Sequence, residues 1–111
     1  MALFRVGVLS DDPLAAAAAW HAEVLPRIFQ ALDDGEAVLT LVFEPAPHKH
    51  RDWRKAAVAS LAREKAPARI NAVASDEALA ITAAVHYLEA AKAITGHYMP
   101  LNGQGAALVV S

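Results

Sequence analysis

Short apolar runs and longer segments with helical spacing alternate along this chain. Three runs, "LFRVGVL" at 3–9, "AVLTLVF" at 37–43 and "ARINAVA" at 68–74, are rich in β-branched and large apolar residues and end in turn formers. Each predicts a strand. The second is almost continuously apolar, which is the pattern of a strand covered by helices on both faces. The first is stopped by Ser10, Asp11, Asp12 and Pro13, and the same residues open a helix. A side-chain oxygen can cap the free amides there, and proline presets the first turn.

That helix is predicted from Leu14 to about Leu32. Leu25, Ile28, Phe29 and Leu32 fall on one stripe, with Ala18 and His21 above them. Pro26 lies inside it and predicts a kink, because it removes an amide donor. After "DDG" at 33–35 and the second strand comes a loop, "EPAPHKHRD" at 44–52. Asp52 is expected to cap a helix over 53–66. Ser75 or Asp76 is expected to cap another, which starts at 77 and ends by Gly96. "HYMPL" at 97–101 predicts a last strand, "NGQG" at 102–105 a turn, and "AALVVS" at 106–111 an extended tail. Strands and helices alternating through short links predict one α/β domain, about four parallel strands flanked by helices in three layers.

Composition narrows the function classes. Apolar residues make up 56% of the 111 positions and charged ones 20%, enough for a folded core. Much of the apolar share is alanine, which buries little area per residue, so a thin core and association with another chain are expected. A net charge of −2 gives no general attraction to nucleic acid or anionic lipid. Neither nucleic acid nor membrane is an expected partner. The absence of cysteine excludes disulfides and thiolate metal sites. No apolar run reaches the roughly 18 residues that span a bilayer, and the N-terminus lacks the form of a signal peptide. A cytoplasmic location is the expectation.

"RINAVA" at 69–74, followed by "AVHYLEAAKAITGHYMPLNGQG" at 84–105, resembles the C-terminal part of the short-chain dehydrogenases/reductases. Those enzymes carry approximately "RVNAVAPG" there, then a helix with a "YL" or "FL" pair, "ITGQ" and "VDGG". "KAAVASLAREKAPARINAV" at 55–73 resembles the family's catalytic-lysine helix, and "HAEVLPRIFQALDDGEAVLTL" at 21–41 the helix and strand before the catalytic serine. The similarity runs in order over about 13–105. It implies a Rossmann-like half-fold corresponding to the C-terminal half of the parental domain.

The departures from the family pattern carry the functional expectation. A dinucleotide fold needs a glycine-rich turn after its first strand, so that backbone can approach a pyrophosphate. "VGVLSDDPLAAAAAW" has one glycine, and Asp11 and Asp12 would repel phosphate. The family lysine matches Lys55, but the tyrosine four residues earlier is replaced by Arg51, which does not release its proton near neutral pH. The family serine falls near Val42 or Phe43, and the helix asparagine near Pro13. The "PG", the cofactor-touching threonine and the substrate loop after Ala74 have no counterpart, since Ser75 leads directly into the next helix.

The resemblance therefore implies a pseudoenzyme without cofactor or catalytic residues, Lys55 alone matching. A scaffold that forms homo-oligomers or docks on a full-length relative is the expected role, since the retained helices carry subunit contacts in the family. The alternative is a residual oxidoreductase or small-ligand module using Lys55 with the loop His48, Lys49, His50, Arg51 and Asp52. His48 and His50 have the alternate spacing of a metal pair, but Lys49 and Arg51 oppose a cation, so a solvated loop and no metal are expected. His86 and His97 are assigned to packing. Trp20 and Trp53 lie on the two helices that meet a second subunit in the related enzymes, and burial within the monomer is at least an equal expectation for each.

Overall fold

The computed structural model describes residues 2–101. Strands β1 (Ala2–Gly7), β2 (Val38–Phe43), β3 (Arg69–Ala74) and β4 (Tyr98–Pro100) form one sheet in the order β1-β2-β3-β4. All three pairings are parallel: Phe4 stands beside Leu41, Leu41 beside Ala72, and Ala72 beside Tyr98. This is the expected α/β half-fold, with helices on both faces. The first strand ends at Gly7 rather than at 9. Its pairing with β2 is irregular between Arg5 and Gly7, and Gly7 takes a φ of +86°, a conformation that releases the chain from the ladder. The expected turn and tail at 102–111 lie outside the described residues.

The helix after β1 is built in three pieces. α1 (Pro13–Ala19) is capped as the sequence indicates, the Asp12 carboxylate accepting from the Ala15 amide at 2.9 Å. A π-helical turn then spans Trp20–Val24, and α2 runs over Leu25–Asp33. Pro26 is the cause. It has no amide to give, and its ring would strike the carbonyl one turn back. The chain widens instead, and the Leu25 amide reaches the Trp20 carbonyl five residues earlier. The extra residue rotates the buried stripe. Trp20, Val24 and Ile28 are buried, Leu25 and Leu32 are half-buried, and Phe29, Ala18 and His21 are exposed. The stripe expected from Leu25, Ile28, Phe29 and Leu32 is correct only in part.

A short 3-10 turn, His48–His50, leads into α3 (Arg51–Glu64). Asp52 is inside the first turn of α3 and does not cap it; the helix begins earlier because the preceding turn already sets its direction. α4 (Ala78–Ala90) stops well short of the expected Gly96. Its stop comes from a distant residue. The Arg69 guanidinium donates to the carbonyls of Leu88, Glu89 and Ala91 at 2.9–3.1 Å, satisfying the orphan end of the helix from β3. At the other end neither Ser75 nor Asp76 acts as the N-cap, a position held by Glu77. Ser75 instead accepts the Glu77 amide at 3.0 Å in a tight turn.

The two cores separate by sheet face. α1, α2 and α3 cover Leu39, Leu41, Phe43, Ile70, Ala72, Ala74 and Tyr98. α4 covers Val42, Val73 and Met99 with Ile81, Ala84, Val85 and Leu88. Successive residues of β2 and β3 thus enter opposite cores, which explains why both strands read as unbroken apolar runs.

Candidate functional site

In open α/β sheets the crevice outside the carboxyl ends of the strands is where ligands sit. At that end of this sheet stand residues 8–12 after β1, 44–50 after β2, and 75–77 after β3. The first two loops are tied together. Lys49 Nζ pairs with the Asp11 carboxylate at 3.1 Å, and His50 Nε2 donates to the Asp11 carbonyl at 2.9 Å. The Trp53 indole N–H donates to His50 Nδ1 at 3.0 Å. An imidazole that accepts at Nδ1 and donates at Nε2 is a neutral ring with one defined tautomer.

His50 is therefore a buried clamp, 3% exposed, and the expected solvated loop is corrected at this residue. The 3-10 turn points it inward while His48 stays in solvent. Both ring nitrogens of His50 are already engaged, and no group of three metal-ligating residues occurs among the described residues. Trp53 is half-buried, edge-on to Trp20 at 6.3 Å and to Phe43 at 6.1 Å. Trp20 is fully buried and stacks on Phe43 at 5.5 Å.

The positions expected from the resemblance to correspond to the family's catalytic set lie on α1, β2 and α3. Lys55 is exposed on α3 and lines none of the main clefts. Arg51 is half-buried and faces a cleft of about 370 Å³ shared with His48, Ala74 and Tyr98. Val42 and Phe43 are buried in opposite cores and offer no hydroxyl. Pro13 is the first residue of α1. His50 belongs to a second cleft, next to Arg54, and Asp52 is exposed. None of these clefts includes Lys55 together with residues of the 48–52 loop.

Arg54 is the functional candidate that the sequence reading missed. It is 5% exposed, with Nη1 donating to the Glu44 carbonyl at 2.9 Å and to the Tyr98 hydroxyl at 3.2 Å. Its guanidinium lies 4.6 Å from the centre of the Phe43 ring. A signal was present: Arg54, Val58 and Leu61 recur at helical spacing, which places Arg54 on the buried stripe of α3. The run "HKHRDWRK" hid it, because a dense basic segment reads as solvated.

A third concavity lies between the helices. Ala17, Trp20, Leu25, Phe29, Trp53 and Ala57 line an open groove of about 420 Å³ whose walls are mostly apolar. Glu64, Ser60 and His21 stand around it. None of the described helices is long and apolar enough to cross a membrane.

Comparison with known proteins agrees with this architecture. No curated protein and no solved structure matches the chain. The model of a family described as short chain dehydrogenase-like protein matches residues 4–101, from the third residue of β1 to the residue after β4. With its parallel half-sheet and a match over nearly its whole length, the chain belongs to the short chain dehydrogenase-like family.

Proposed function

We infer that this protein is a non-catalytic member of its family and works as an oligomerisation scaffold. The groove between α1–α2 and α3 carries the reading. It leaves part of Trp53 and Phe29 open to water, although tryptophan and phenylalanine contribute most when fully covered. Ala17, Ala56 and Ala57 line it, and side chains this small allow a second pair of helices to approach closely. The occupant is a second copy of this chain, or the equivalent helices of a full-length relative.

The chemistry supports the same reading. Arg51 stands at the tyrosine position, where a guanidinium is a poor general acid, and Lys55 is exposed on α3. Neither cofactor nor metal has a part in this role. Nucleic acid and membrane are not its partners, and a cytoplasmic setting suits it.

The test is sedimentation equilibrium of the intact chain at micromolar concentration. A dimer or larger assembly is expected, and Ala56→Arg, an exposed substitution on the groove, should weaken it about tenfold or more without unfolding the monomer. A monomer at that concentration with no recovered relative sinks the reading. So does a thermal shift with a nicotinamide dinucleotide, or carbonyl reduction lost in Lys55→Ala.

A further inference from the structure

Arg54 is buried beyond what a surface scaffold requires. Two of its five N–H groups are used by Nη1, and the N–H of Nε is enclosed without an acceptor. Among the described residues no carboxylate lies within ion-pair distance of the guanidinium. The Phe43 and Trp53 rings, 4.6 and 5.9 Å away, soften the burial of the charge but supply no anion. A guanidinium removed from water without a counter-charge is strongly unfavourable. Such a cation calls for an anionic partner.

The space for one adjoins it. Arg54 and His50 form part of a cleft of about 390 Å³ at the carboxyl ends of β1 and β2. Val8, Leu9, Pro45 and Pro47 make the remaining walls largely apolar. The acidic groups at the rim set the ligand's charge. Asp11 is already paired with Lys49 at 3.1 Å, while Glu44 is exposed beside the opening. A polyanion would be repelled by Glu44, whereas one carboxylate on an apolar body would meet the guanidinium and the prolines together.

We propose that this cleft binds a small monocarboxylate with an apolar body, its carboxylate seated on Arg54. The site does not depend on self-association, because Arg54 is not part of the groove between the helices. Its volume suits a ligand of modest size.

The experiment titrates the intact chain with benzoate, benzamide and inorganic phosphate, followed by calorimetry and by tryptophan fluorescence. Benzoate should bind about tenfold more tightly than its neutral amide, as charge-assisted pairing implies. In Arg54→Met, which keeps volume and removes charge, the preference should fall to within about twofold. Equal binding of benzoate and benzamide overturns the proposal, as does phosphate binding more tightly than benzoate. A preference that survives Arg54→Met overturns it too. Should that variant fail to fold, Glu44→Gln takes its place: removing the rim carboxylate should tighten benzoate about twofold or more. Unchanged or weaker binding in Glu44→Gln counts against the site.

Discussion

Beneath α1, α2 and α3 the sheet meets rings, with Trp20, Phe43 and Trp53 in mutual contact and Tyr98 edge-on to Phe43; beneath α4 it meets valine, isoleucine, leucine and alanine. The ring face is the less finished of the two. Trp53 and Phe29 keep open surface, a cleft forms beside Arg54, and a groove runs between the helices. The aliphatic face is closed instead by polar side chains from β3. Arg69 ends α4, and Asn71 donates to the Ile94 carbonyl and accepts the His97 amide, both at 3.1 Å. Large rigid rings leave gaps that a partner or ligand can fill, whereas small aliphatics pack tightly but need hydrogen bonds to fix the chain around them.

The largest blow to this contrast is Trp20→Ala. Trp20 is 1% exposed and anchors the ring cluster, so its loss should destabilise the fold by about 3–5 kcal/mol in urea denaturation. A cost below about 1 kcal/mol would show that the ring face is not the main source of stability. On the other face, Arg69→Met keeps the aliphatic stem and removes the bonds to α4. It should cost about 2 kcal/mol by the same measurement, with amide exchange rising first around 88–91. Unchanged exchange there would mean that α4 ends where it does for another reason.

The smallest effect tests the link between the faces. Gly96 takes a φ of +81° and donates to the Ile70 carbonyl at 2.7 Å. A Cβ there would come within 3.5 Å of Ala62 on α3. Gly96→Ala should therefore cost about 1 kcal/mol, from backbone strain more than from crowding. A neutral substitution would indicate that the loop from α4 to β4 can shift without disturbing α3.

The same division governs how much was legible beforehand. β2 and β3 announce themselves, because a strand buried on both faces must be apolar throughout, and their parallel order follows from alternation with helices. Asp12 and Pro13 open α1 as local chemistry requires. The arginine at position 51, where the family pattern carries tyrosine, was equally plain, since it depends on residue identity alone. The end of α4 was not legible: nothing in "LEAAKAI" disfavours helix, and the stop is supplied by Arg69 from a strand about 20 residues earlier. Nor could the loop reveal that His50 turns inward while His48 does not. That choice rests on the Asp11 carbonyl and the Trp53 indole, which only folding brings near.

What the sequence determined is what short-range sterics and apolar periodicity can specify: the strands, the break in the helix at Pro26, the family, and the arginine at position 51. Tertiary structure alone decided where polar groups find partners. Arg69 and Asn71 became staples, His50 a clamp, and Arg54 a buried cation beside a cleft. The physical reason is that hydrogen bonds and charge pairs are directional and short-ranged. Their outcome depends on atoms distant in the chain, while burial of an apolar stripe requires only some apolar surface to meet it.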